Sequence, residues 1–495
     1  MSSRGPIQLS RATKLKAFVS TTLALSMAAI ATASGPTSHG ANHGGKPAGP
    51  STPPSRAVTT STGTLPDGAT WIIRVPEGWN GTLLLFAHGL VPPGQPNPAV
   101  DANDPLSAGY LLNSGYALAG SSFATTGFAM EDALRAQVEL LDVFAQLVGK
   151  PRATITWGAS MGGLVAAALA ERSPDRIDGA LSMCGVVAGG VGLWNSYLDV
   201  LFAVKTLIAP NAPIELTNIS DPFGSIQAAI DALTTAQATP EGRARIALAA
   251  ALGSIPGWTR ADQPEPDPSD FATQEANQFE VLRNLTVFLG ILVRADLEAR
   301  AGGNPSFNAG VDYASLLIRS SGRREVVALY RQAGLSLVDD LRTLAAAPRI
   351  TADASALQYV KAVSTLDGRL NVPVLTVHNV ADPLAPVEHE QAYAAAVRRA
   401  SNLRQAFVNR AGHCIFTPAE TVAALQVVIE RVDAGWWGPG TRAHALNRRA
   451  SSLGPELNAH LDNDTGLPVP TDPAFIRFSP WWFLRPFAKP FQAGH

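Results

Sequence analysis

The sequence predicts an α/β protein, a mainly parallel sheet flanked by helices and interrupted by one large block of helices. Three observations carry this. Short apolar runs of strand length alternate with stretches whose apolar residues recur every three or four positions, the pattern of strand-helix-strand crossovers. Some of those runs, such as Thr82 to Ala87, are apolar almost throughout, which suits strands covered on both faces. The alternation stops at about Val186 and resumes at Val372, with mostly helical patterns between them.

Taken in order, strands are expected at Trp71 to Val75, Thr82 to Ala87 and Tyr116 to Phe123. A helix follows from Met130 to Val148, because Leu134, Val138, Leu141, Phe144 and Val148 share one face. Then come a strand at Ala153 to Trp157, a helix at Leu164 to Arg172 and a strand at Ile177 to Cys184. The block 187–369 has helical patterns at Ala228 to Ala236, Arg243 to Leu252, Asn277 to Leu297 and Arg324 to Ala333, joined by Pro-rich stretches such as Pro264 to Pro268. Its place within the sheet reads as a lid. Val372 to Val377 is again a strand, followed by a helix at Glu388 to Arg399, a strand at Arg404 to Val408 and a helix at Pro418 to Val432. The sheet-forming core is therefore 62–186 with 370–433, and the Trp-, Pro- and Gly-bearing segment 434–495 reads as an irregular extension.

The 495 residues, 46% of them hydrophobic, allow a large core. Basic and acidic side chains nearly balance, 38 against 40, so the basic stripe of a nucleic-acid binder is missing overall. The N-terminus carries Arg4, Arg11, Lys14 and Lys16 and then an apolar run from Ala17 to Ala33 that ends in Ala31-Thr32-Ala33. This is the layout of a signal peptide, so the chain is expected to be secreted, with cleavage near Ala33 and no stable membrane anchor afterwards. Residues 34–61, rich in Gly, Pro, Ser, Thr and His, read as a flexible linker, with His39 and His43 part of it rather than a metal site.

Behind the strand Ala153 to Trp157 stands Gly158-Ala159-Ser160-Met161-Gly162-Gly163, a G-x-S-x-G in its strand-turn-helix setting. The turn is tight enough that only glycines at Gly158 and Gly162 let neighbouring backbone pass. Ser160 is the candidate nucleophile. Here the chain resembles the α/β-hydrolase superfamily over about 65–185 and 370–433, which implies that fold, with a helical lid after the sixth strand. The segment His88-Gly89-Leu90 after Thr82 to Ala87 is similar to the superfamily's His-Gly segment; by that comparison the oxyanion donors are the backbone N–H of Leu90, or Gly89, and of Met161. His88 itself reads as a buried structural ring. Past the strand after the lid, His378-Asn379-Val380-Ala381-Asp382-Pro383 is similar to the acid loop, with Asn379 where Gly is usual. Asp382 is the candidate acid and Asp199, after the sixth strand, its rival. The base is His413, in Ala411-Gly412-His413-Cys414, and the order Ser, Asp, His is the one this superfamily shows.

The resemblance implies acyl transfer to water through an acyl-enzyme, with no metal and no cofactor; no H-E-x-x-H or clustered Cys/His spacing suggests one. The expected partner is a small-molecule or polymeric ester. A secreted peptidase resembling the prolyl aminopeptidase or prolyl oligopeptidase branches is the alternative, with Glu275, Glu280, Asp296 and Glu298 either binding an amine or forming a solvated face. A non-catalytic scaffold is a third reading. Cys414 beside the base is similar to tannase and feruloyl-esterase relatives, but Ala159 precedes Ser160 where they have Cys. Two readings of Cys184 and Cys414 stand: a bridge clamping the histidine loop, or two buried thiols. The apolar stretches Leu198 to Leu207 and Leu285 to Val293 fit either a bulky substrate group or the lid's own core.

Overall fold

The computed structural model describes residues 56–461 and 467–487. The segment assigned to a signal peptide, linker residues 34–55, and His39 and His43 lie outside the described residues. Strands β1 (Val58–Thr64) and β2 (Thr70–Pro76) pair antiparallel, with Asp67 accepting the Ala69 amide at 3.0 Å in the turn. β1 starts inside the segment read as linker. Its residues, Val-Thr-Thr-Ser-Thr-Gly-Thr, are mostly exposed at the sheet edge, so no apolar run marks them.

β3 (Thr82–Ala87), α1 (Pro105–Asn113), β4 (Ala117–Ser121), α2 (Met130–Leu147), β5 (Ala153–Ala159), α3 (Met161–Arg172) and β6 (Gly179–Met183) follow, with β3, β4, β5 and β6 parallel. The unforeseen α1 is started by Asp104, whose carboxylate accepts the Ser107 amide, and by Pro105 in its first turn.

Between β6 and the next strand the regular structure is all helical: α4 (Gly190–Ala203), α5 (Pro222–Gln237), α6 (Pro240–Leu252), α7 (Phe271–Val281), α8 (Arg294–Ala301), α9 (Tyr313–Arg319), α10 (Arg323–Gln332), α11 (Leu337–Ala346) and α12 (Ala354–Ser364). The helix expected from Asn277 to Leu297 is not one regular α-helix. Wider π turns at Leu282–Thr286 and Leu289–Val293 separate α7 from α8. The two apolar stretches turn inward: Leu201, Val204, Leu207, Val287 and Ile291 join Leu248 and Leu252 in the insertion's own core.

The chain returns to the sheet through β7 (Val374–Ala381), α13 (His389–Ala396), β8 (Leu403–Ala411) and α14 (Pro418–Ala434), and ends with α15 (Ala443–Ser451), β9 (Ala459–Leu461), β10 (Pro468–Pro470) and β11 (Phe475–Ile476). The extension read as irregular therefore holds a helix and strands. β11 pairs with the open edge of β8, Phe475 opposite Val408, and satisfies backbone groups the edge would leave bare. α15 buries Leu446 and Ala450 beside Ala423 and Val428 of α14.

The nine-stranded sheet runs β1-β2-β4-β3-β5-β6-β7-β8-β11, parallel from β4 to β8, with helices on both faces: the α/β-hydrolase fold. The chain reverses its winding direction between β3 and β5. That switch point opens a crevice at their carboxyl ends, where the register sets Ala87 beside Gly158.

Candidate active site

Ser160 sits between β5 and α3 at φ 60° and ψ −123°, a conformation that costs an L-residue energy and holds its side chain clear of both elements. Neighbouring backbone passes close by. A Cβ on Gly162 would lie 1.9 Å from the Ala87 carbonyl oxygen, and one on Gly158 2.4 Å from the same atom. The elbow therefore requires glycine at both positions.

His413 reaches back from the loop after β8. Its Nδ1 lies 2.7 Å from Asp382 Oδ2 and its Nε2 2.8 Å from Ser160 Oγ. A carboxylate only accepts, so Nδ1 donates to Asp382, and the lone pair left on Nε2 of the neutral ring accepts the Ser160 hydroxyl. The His413 side chain is 16% exposed and Asp382 is fully buried. Asp382 Oδ1 is turned away and accepts the Leu384 and Ala385 amides, which fixes the carboxylate's orientation. Burial alone would push this carboxyl up, but the His413 and His378 rings outweigh it and hold it well below the usual carboxylate range.

The histidine loop is tied down twice. Cys184, just past β6, and Cys414 form a disulfide with Cα atoms 5.3 Å apart, anchoring the residue next to His413. Asn379 lies within β7 and donates from Nδ2 to the Ile415 carbonyl at 2.9 Å; its side chain, not a left-handed backbone, is what the position uses. Cys184, His413 and Cys414 also form a grouping of metal-ligand type, but its sulfurs are bonded to each other.

Asp199 does not approach His413. It forms a buried ion pair with Arg485 of the C-terminal tail and accepts the Tyr313 hydroxyl at 2.9 Å. His88 stacks on Phe123 and lies within hydrogen-bonding distance of the Gly89 and Ser122 carbonyls, a structural ring. A Cβ on Gly89 would be 3.4 Å from Ser160 Cβ, so this loop lines Ser160. Among the described residues neither the Leu90 nor the Met161 amide finds a protein acceptor. Of the insertion carboxylates, Glu275 and Glu298 are buried rather than solvated; Glu275 accepts from Gln237, Glu298 from the Ile219 amide, Glu280 pairs with Arg283 and Asp296 faces Arg300.

Sequence reasoning did not single out His378, whose Nε2 lies 3.6 Å from Asp382 Oδ2, or Glu390 behind it. The signal was present as one polar ring at the end of the apolar run Val374 to Val377.

No protein-family model matches the chain. It is 33% identical to an o-phthalyl amidase from Xanthobacter agilis over 433 residues, 81% of this chain and 93% of that protein. Among solved structures it is similar to an esterase from Aspergillus oryzae (15% identity, covering 74% of this chain and 77% of that one, TM-score 0.34). It is likewise similar to the tannin acyl hydrolase from Aspergillus niger (14% identity, 77% and 83%, TM-score 0.36). By its identity and coverage with the first of these proteins, the chain belongs to the family of the o-phthalyl amidase.

Proposed function

We propose that the protein is a serine hydrolase that cleaves carboxylic acid esters through an acyl-enzyme on Ser160. The carrying observation is the pair of hydrogen bonds through His413, 2.8 Å to Ser160 and 2.7 Å to Asp382. In the first half-reaction Ser160 Oγ attacks the acyl carbon while His413 Nε2 takes its proton; the bond to the leaving group breaks and His413 returns the proton to it. Water, activated by the same ring, then releases the acid. Asp382 holds the ring in the required tautomer, and the Met161 and Leu90 amides receive the developing oxyanion.

The same chemistry cleaves amides, and the amidase relative supports that second reading, with an aromatic acid on the acyl side. The peptidase alternative finds no amine site among Glu275, Glu280, Asp296 and Glu298, because each already has a partner or a structural place. Export is part of the proposal; an oxidised Cys184–Cys414 bridge and the charged-then-apolar N-terminus support it.

The test is turnover of a p-nitrophenyl ester series, an o-phthalyl amide and a set of prolyl anilides by wild type and Ser160→Ala. Loss of roughly 10⁴-fold or more in kcat on the preferred substrate is expected for the variant. Undiminished turnover by Ser160→Ala would falsify the assignment, and the preferred substrate decides between ester, amide and peptide bonds.

A further inference from the structure

His378 stands at the carboxyl end of β7 with its side chain fully buried. Its surroundings fix its hydrogens. Nε2 is 2.7 Å from the Ala385 carbonyl oxygen, which only accepts, so Nε2 carries a proton. Nδ1 is 3.1 Å from Glu390 Oε1. The other oxygen of that carboxylate accepts from Gln405 Nε2 at 2.6 Å and from the Thr376 hydroxyl. With its remaining partners all donors, Glu390 accepts a hydrogen bond from Nδ1–H as well, so both ring nitrogens keep their protons and the ring is an imidazolium. Its Nε2 faces Asp382 Oδ2 at 3.6 Å, and that oxygen is the one to which His413 donates.

Burial would favour a neutral His378, but Asp382 and Glu390 outweigh it and raise the ring far above the usual histidine range. The other titratable neighbours do not supply this charge. His389, driven down to about 3 by burial, is neutral and accepts the Ala188 amide. Burial pushes Glu388 up to about 7. His413 faces Asp382 from the side of the nucleophile.

We propose that His378 is a positioning residue: backed by Glu390, it presents a buried positive charge to the same Asp382 oxygen that holds His413, and so limits how strongly that carboxylate stabilises a protonated base. This rests on the serine-hydrolase reading above. A lone buried Asp382 would over-stabilise the His413 imidazolium and leave less neutral base at a given pH. The shared cation tempers that pull on the proton of the base.

The experiment is the pH profile of kcat/KM for wild type, His378→Gln and Glu390→Gln, with Ser160→Ala alongside. His378→Gln removes the charge and retains an amide donor; Glu390→Gln removes the group that holds the charge in place. The acidic limb of the profile is expected to move up by about one pH unit in His378→Gln, a roughly tenfold loss at pH values below the limb, and in the same direction in Glu390→Gln. Lower activity at every pH with an unmoved limb would assign His378 a merely structural role and overturn the proposal, as would a limb that moves down. Should His378→Gln not fold, as read by circular dichroism, Glu390→Gln decides by the same criterion. If Ser160→Ala keeps its activity, it is the serine-hydrolase reading that fails, an outcome distinct from an unmoved limb in the other variants.

Discussion

Two buried carboxylates of the acid loop and two of the helical insertion are treated in opposite ways. Asp382 lies between two histidines and two backbone amides, and Glu390 is met by His378, Gln405 and Thr376. In the insertion, Glu275 and Glu325 are buried and, among the described residues, their hydrogen bonds come from the amides of Gln237 and Gln278. Burying a charge costs energy unless a counter-charge or several hydrogen bonds accompany it. Donors around an acid keep it ionised at neutral pH and burial without them keeps it neutral, and only an ionised acid can orient a base.

The largest expected effect sharpens this between two aspartates. Asp382→Asn keeps an acceptor for the Leu384 and Ala385 amides but favours the wrong tautomer of His413, so kcat should fall by about 10³ to 10⁴. Asp199→Asn should leave the chemistry intact and cost stability alone. It leaves Arg485 buried without its partner, costing about 3 kcal/mol in chemical unfolding, while kcat/KM of the folded enzyme stays within about twofold. If Asp199→Asn abolished turnover and Asp382→Asn did not, the assignment of the acid would be exchanged.

Next in size is the clamp between the two halves of the site. Replacing Cys184 and Cys414 by Ser together removes a cross-link spanning 230 residues, and the cost expected in urea unfolding is about 2 to 5 kcal/mol. Because Cys414 adjoins His413, kcat should also fall, by about tenfold, with KM less affected. An unchanged kcat would mean that the His413–Asp382 and Asn379–Ile415 hydrogen bonds hold the loop without the bridge.

What the sequence made legible follows the same division. The elbow was readable because steric exclusion leaves glycine alone at Gly158 and Gly162, and the order Ser160, Asp382, His413 follows from strands whose apolar runs are unmistakable. β1 was not readable, since an edge strand of Thr and Ser carries no burial pattern. Nor was β11, which holds two residues in a Pro-rich tail and exists because β8 offers an unpaired edge. Arg485 and Asp199 lie far apart in sequence and meet only through the tertiary fold, and His378 reads as the plain first residue of the acid loop until Glu390 is folded against it. Spacing reveals what local sterics dictate. Partners brought together by the fold leave no such trace.

The smallest effect expected concerns the neutral acids of the insertion. Burial pushes Glu275 up to about 7 and Glu325 up to about 8, the second also raised by the first. In the unfolded chain both would titrate near 4.5. Folding therefore favours their protonated forms, and the stability this contributes is complete below about 4.5 and is lost as pH rises through 7 to 8. Each group can add a slope of up to about 1.4 kcal/mol per pH unit in that window. Glu275→Gln and Glu325→Gln keep a neutral, similarly shaped side chain, so thermal unfolding followed from pH 5 to pH 8 should show a flatter decline for the double variant than for wild type. Glu280→Gln, on the exposed face of the same α7 and partnered by Arg283 and Asn284, should leave the slope as it is. A wild-type slope that survives the double substitution would mean that these acids are ionised in the folded state, and the contrast between the insertion and the acid loop would collapse.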